Sequence, residues 1–143
     1  KPPAKWISTY GNHVPSNAIP GGNYEHLRPQ YIGRAWYKDN LIPGAVDQLA
    51  GVCYVAWHSV SHFVNNYEVL VDTKGKFVQT SGGNIPPNAL KAGYTGKKED
   101  LYICRANHKG FKLLGKAQTT HHACYVGYRG KEYAYKEYEI YVY

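Results

Sequence analysis

Tyr31-Ile32-Gly33-Arg34-Ala35 returns 71 positions later as Tyr102-Ile103-Cys104-Arg105-Ala106. Sliding residues 5–72 onto residues 76–143 without a gap superposes Lys5, Thr9, Gly11, Pro15, Asn17, Ala18 and Gly22 on Lys76, Thr80, Gly82, Pro86, Asn88, Ala89 and Gly93. The match continues through Lys38 and Lys109, Gly44 and Gly115, Cys53-Tyr54-Val55 and Cys124-Tyr125-Val126, and Tyr67-Glu68 and Tyr138-Glu139. Internal repetition constrains a fold more than any local propensity. Two copies of about seventy residues are each marginal alone, whereas 143 residues suffice for one buried core. The expectation is therefore one domain over 1–143, in which repeat one (5–72) and repeat two (76–143) complete each other. Asp72-Thr73-Lys74-Gly75 is too short to separate domains and reads as a turn.

Within each copy the short strands are bounded by turn residues. Lys5–Thr9 and Lys76–Thr80 read as first strands ended by glycine. Tyr31–Tyr37 and Tyr102–His108 follow, and the last two in each copy are Cys53–Trp57 with Tyr67–Val71 and Cys124–Tyr128 with Tyr138–Val142. Lys38-Asp39-Asn40, Lys109-Gly110, Pro43-Gly44 and Leu114-Gly115 read as turns. Fifteen tyrosines and fifteen glycines favour strands and turns, and no segment keeps helical apolar spacing over three turns. The class expected is all-β. No apolar run approaches the ~20 residues of a membrane-spanning helix.

The formal charge of +7 is unevenly divided. Residues 1–72 hold five basic and five acidic side chains, and residues 73–143 hold twelve basic and five acidic ones, so the whole excess lies in repeat two. That face is either a solvated surface or one suited to acidic partners such as sulfated glycans, phosphates or nucleic acid. Arg34 and Arg105, with Glu68 and Glu139, are charges inside otherwise apolar strands and are expected to pair, within or across the repeats. The three cysteines, Cys53, Cys104 and Cys124, are too few and too odd in number for a disulfide framework and read as buried free thiols. A Cys53–Cys124 bridge, formed where a pseudo-twofold axis brings the copies together, is the alternative. The first residue is Lys and no signal sequence is in view; a cleaved leader would be invisible here, so cytoplasmic and secreted locations are both open.

No catalytic constellation emerges. Gly110-Phe-Lys-Leu-Leu-Gly115-Lys116-Ala117 has the glycines and lysine of a phosphate loop but lacks the Ser/Thr and the following helix. His121-His122 with Cys124 is too tightly spaced for a standard zinc site. The chain is therefore expected to be no enzyme and to need neither metal nor cofactor. What remains is polar side chains in equivalent loops beside aromatic strands, a combination suited to sugar hydroxyls and sugar C–H faces. Repeat two offers Lys116 and the hairpin Gly130-Lys131-Glu132-Tyr133; repeat one offers Glu25, Asp39, Trp57 and His62.

The pattern Trp6…Gly11…Val14-Pro15…Asn17-Ala18…Gly21-Gly22…Tyr31-Ile32-Gly33-Arg34-Ala35…Ile42-Pro43-Gly44…Cys53-Tyr54-Val55…Tyr67-Glu68-Val69-Leu70, present in both copies, resembles the DM-nine repeat family, a lectin-like module also found in natterin-type proteins. The resemblance implies an all-β pseudo-twofold protein that binds mannose-type glycans in immune recognition at cell or microbial surfaces and dimerises. It also implies a site built on a lysine after the Pro-Gly turn and an acidic residue two places after the Gly22 position. Here the lysine position holds Ala45 and Lys116, the acidic position Tyr24 and Thr95. Repeat two thus keeps the cation without the acid, which shifts weight toward an anionic glycan. The candidate glycan-binding residues are Lys116, Lys131, Glu132 and Tyr133, with Tyr24 and Glu25 from repeat one. The rival readings are a structural or adhesive protein rich in Tyr and Lys that carries a relic sugar site, and a general polyanion binder; nucleic acid is not the expected partner.

Overall fold

The computed structural model describes residues 1–143, which form fourteen strands in one sheet. Repeat one contributes β1 (Lys5–Tyr10), β2 (Pro20–Tyr24), β3 (Arg28–Tyr37), β4 (Asn40–Asp47), β5 (Val52–Trp57), β6 (Val60–Val64) and β7 (Asn66–Val71). Repeat two contributes β8 (Lys76–Ser81), β9 (Lys91–Tyr94), β10 (Asp100–His108), β11 (Phe111–Gln118), β12 (Ala123–Tyr128), β13 (Lys131–Tyr135) and β14 (Glu137–Val142). Helical content is confined to two single 3-10 turns, Glu25–Leu27 and Thr119–His121.

The path β1-β7-β3-β4-β5-β6-β13-β12-β11-β10-β14-β8 is a palindrome of repeat-equivalent strands, the signature of a twofold relation written in hydrogen bonds. At its centre Lys131 pairs with Val60. Because β9 pairs with both β10 and β4, the sheet closes into a barrel through β4, β5, β6, β13, β12, β11, β10 and β9. Closure removes most of the open edges that a large antiparallel sheet would otherwise expose.

Two apolar clusters belong mainly to single copies, one around Ile42, Val46 and Val69, the other around Leu113, Val126 and Ile140. A third joins Ile32, Ala45 and Leu70 to Ala92, Ile103, Leu114 and Tyr141, so each repeat buries part of its apolar surface against the other. Polar stitching follows the same symmetry. Arg34 donates from Nε to Glu68 at 2.6 Å and from Nη1 to the Ala92 carbonyl at 3.0 Å; Arg105 donates from Nε to Glu139 at 2.9 Å and from Nη1 to the Gly21 carbonyl at 3.0 Å. Each arginine thus pairs inside its own copy and bonds to the backbone of the other. Each guanidinium also lies over an aromatic ring, Trp6 at 4.1 Å and Phe77 at 3.9 Å.

Two sequence expectations are corrected. Pro43-Gly44 and Leu114-Gly115 are not turns but the middles of β4 and β11. Their glycines are required by close strand approach: a Cβ on Gly44 would stand 2.0 Å from the Tyr54 carbonyl oxygen, and one on Gly115 would stand 1.9 Å from that of Tyr125. The cysteines are not all free either. Cys104 and Cys124 form a disulfide between β10 and β12, and Cys53 alone remains a buried thiol. Repeat symmetry hid this pairing, because the counterpart of Cys104 is Gly33.

Candidate functional site

A cleft of about 890 Å³ opens where the two repeats meet. Its repeat-two wall is built on β11 and β12. Lys116 stands opposite Tyr125 in that pairing, and Gln118 follows two residues on, so strand alternation directs both side chains to the same face. Glu99, from the loop entering β10, and Glu132, from β13, bring carboxylates. Repeat one supplies Asp39 and Asn40 from the β3–β4 hairpin, and Trp57, His58 and Ser59 from the β5–β6 hairpin. The cleft is therefore composite, and neither repeat could form it alone.

Lys116 is 3 % exposed, and its Nζ lies 4.1 Å from the centroid of the Trp57 ring and 5.4 Å from that of Tyr125. It takes part in no salt bridge. Burial pushes its pKa down to about 8, with Glu132 and Glu99 offsetting part of that cost. The carboxylates are held in place by donors. Glu99 accepts from Gln118 Nε2 at 2.8 Å and from the Thr120 hydroxyl at 2.6 Å, and the Thr120 bond leads in holding its carboxyl below the usual range. Glu132 accepts from the Ser59 amide at 3.0 Å, while the Glu132 amide donates to the Ser59 carbonyl at 3.1 Å. Gln118 Oε1 is buried without a donor. An ammonium over a ring, two oriented carboxylates and an unspent amide oxygen give this cleft donors, acceptors and an apolar face together.

The twofold-related location is filled. Ala45 replaces Lys116 there, Arg28 replaces Glu99 and Asp47 replaces Gln118, and Arg28 pairs with the buried Asp47. Tyr24 packs between Phe111 and Tyr128, at 6.3 and 5.7 Å between ring centroids. Glu25 accepts from the Tyr128 hydroxyl at 2.8 Å and from Arg129, and the Tyr128 bond is the first cause of its lowered carboxyl pKa. One pseudo-symmetric site is open, and the other is plugged with its own side chains.

Of the residues singled out from the sequence, the structure brings Lys116 and Glu132 together and adds Asp39 and Trp57. Lys131 and Tyr133 alternate with Glu132 along β13 and lie outside the cleft lining; Tyr133 packs on the His108 ring at 4.4 Å. Tyr24 and Glu25 belong to the plugged site, and His62 stacks on Tyr37 at 4.0 Å. Sequence reasoning missed Glu99, Gln118 and Asn40. Comparing the copies could not flag them, since Arg28, Asp47 and Phe111 stand at the equivalent positions. Thr95, at the position where the acid is missing, does line the cleft, and its hydroxyl accepts from the Glu99 amide at 3.1 Å. Glu99, four residues along the chain, brings a carboxylate to the same lining.

A closed all-β body of two pseudo-symmetric repeats with one composite polar-aromatic cleft defines a two-repeat ligand-binding module. The chain belongs to the DM9 repeat family, whose pattern matches residues 2–48 and 25–135. It is 28 % identical over 145 aligned positions to Natterin-4 of Thalassophryne nattereri, an alignment covering 95 % of this chain and 33 % of that protein. The chain therefore spans about a third of the length of this curated relative. Its fold resembles that of the nematode sperm cell motility protein MFP2B, with a TM-score of 0.70 over 98 % of this chain and 47 % of the other at 12 % identity. At that identity the likeness concerns the fold alone.

Proposed function

We propose that the chain is a non-enzymatic carbohydrate-binding protein whose Lys116 cleft takes a neutral, mannose-type glycan. The observation that carries this reading is the placement of Lys116 between Trp57 and Tyr125 with the carboxylates of Glu99 and Glu132 in the same wall. Pyranose rings present hydroxyls that donate to carboxylates and accept from an ammonium, and C–H faces that lie on aromatic rings. Membership of the DM9 repeat family supports the same reading.

The cleft itself favours a neutral ligand over an anionic one. Its lining holds Lys38, Lys97 and Lys116 against Asp39, Glu99 and Glu132, so the +7 of the whole chain is not focused there. An array of neutral mannosides and sulfated glycans, probed at low and physiological salt, tests the proposal. Mannoside binding with little salt dependence is expected. Binding confined to sulfated glycans and fading with salt would instead mark a polyanion binder.

A further inference from the structure

The outer face of repeat one carries a second groove, of about 350 Å³, lined by strands β4, β3, β7 and β1. Register places its side chains on one face: Trp36 lies opposite Leu41, Arg34 opposite Glu68, Glu68 opposite Ser8, and Asn66 opposite Tyr10. Trp36 is 51 % exposed and Tyr10 58 %, and Tyr94 stands edge-on to Trp36 at 5.8 Å between centroids. Two large exposed rings thus rise from a floor made by an arginine–carboxylate pair.

That floor differs from its twofold counterpart in one respect that bears on binding. In repeat two Arg105 uses both Nε and Nη2 on Glu139, at 2.9 and 3.0 Å, and Lys112 Nζ adds a third donor at 3.3 Å. In repeat one Arg34 grips Glu68 through Nε alone, and Leu41 stands where Lys112 would be. Glu68 Oε2 and Arg34 Nη2 are left as an acceptor and a donor with no partner inside the chain. The ring positions diverge in the same sense: Trp36 and Tyr10 correspond to Asn107 and Ser81. Repeat two spends its charges internally and has no rings there.

The geometry points to a second glycan-binding site on this face, taking a neutral pyranose that stacks on Trp36. One of its vicinal hydroxyls donates to Glu68 Oε2 and the other accepts from Arg34 Nη2. A carboxylate and guanidinium already paired are pre-ordered for such a diol, and hydrogen bonds to them are charge-assisted. The site takes its ligand class from the carbohydrate reading above but shares no residue with the Lys116 cleft. A protein with both sites would engage two residues of a branched glycan, or two glycans, with the gain that linkage brings.

The three tryptophans allow the sites to be read separately, because Trp36 lies in the groove, Trp57 in the cleft and Trp6 under Arg34. The experiment titrates the full chain with the methyl α-pyranosides of mannose, glucose and galactose while following the indole N–H signals by NMR, assigned with Trp36→Asn. A saturable shift of the Trp36 signal with at least one sugar is expected, persisting in Lys116→Met. It should weaken about tenfold in Glu68→Gln, and likewise in Leu41→Lys, which restores the repeat-two arrangement. A Trp36 signal that stays still while that of Trp57 moves overturns the second site and leaves the cleft standing. A Trp36 shift unchanged in both Glu68→Gln and Leu41→Lys overturns the proposed recognition, and one lost in Lys116→Met assigns the effect to the cleft. If neither signal moves with any of the three sugars, both sites are overturned as binders of neutral hexoses.

Discussion

Lys116 from repeat two places its Nζ 4.1 Å from the centroid of the Trp57 ring of repeat one, so the least solvated cation in the cleft and its aromatic floor come from different copies. A buried ammonium without a carboxylate in contact costs stability that an apolar side chain of similar length would not. Lys116→Met is therefore expected to fold with equal or higher thermal stability while weakening mannoside binding at least about tenfold. Calorimetric melting and titration of the same sample check both halves, and retained affinity would remove Lys116 from the site.

The pH dependence follows from the same group. Its folded pKa of about 8 lies below the ordinary lysine value of 10.5, so between them the unfolded chain holds a proton that the folded chain does not. This contribution makes stability rise with pH across that window. Glycan affinity should move the other way, falling as pH climbs through about 8 and the ammonium loses its charge. Melting temperatures and mannoside titrations from pH 7 to about 10 read the two opposing trends.

Glu139 takes three donated bonds from Arg105 and Lys112 and is held below the usual carboxylate range, first by the Arg105 bond. The resulting stability is present above the unfolded value of 4.5 and is lost as pH falls through the lower folded one. Arg105→Ala leaves that carboxylate with Lys112 alone and also removes the bond to the Gly21 carbonyl. A loss of about 3 kcal/mol in urea unfolding is expected, and unchanged stability would show the pair to be dispensable.

Copy one retains half of a disulfide. Cys53 is the counterpart of Cys124, and Gly33 stands where Cys104 does. A Cβ on Gly33 would lie 3.6 Å from Cys53 Sγ but 2.4 Å from Val46 Cγ2, and the counterpart of Val46 is the smaller Ala117. The double variant Gly33→Cys, Val46→Ala should form a second bridge, with loop closure contributing about 3 kcal/mol before the loss of valine methyls is set against it. Thiol titration should fall from one free group to none, and the gain should vanish under reductant.

Gly115→Ala is expected to be far more damaging than an ordinary strand substitution, because the new methyl group would meet backbone rather than a movable side chain. Overpacking of this kind typically costs about 1–3 kcal/mol, and the 1.9 Å approach places Gly115 at or beyond the upper end. Yield of folded protein and its unfolding midpoint measure it.

The repeat was legible because it is a matter of sequence alone, and it brought out the residues Arg34, Glu68, Arg105 and Glu139 that lie across from one another in both copies; the all-β class was legible in the short strands between turn residues, and the pseudo-twofold plan in the family resemblance. Lys116 and Glu132 were singled out mainly through the family resemblance, by the lysine after the Pro-Gly position and the Gly-Lys-Glu hairpin, and the fold places both in the lining of one cleft. Pro43-Gly44 misled because a glycine demanded by close strand approach looks the same in sequence as one demanded by a turn. The Cys104–Cys124 bridge, the composite cleft, the plugging of its twin and the unspent atoms of Glu68 and Arg34 were not legible. Each depends on which side chain faces which across strands far apart in sequence, and a repeat match records only what the two copies share. Where the copies differ, as at Ala45 and Lys116 or Leu41 and Lys112, only packing about the axis decides whether the space is filled from within or left open to a ligand.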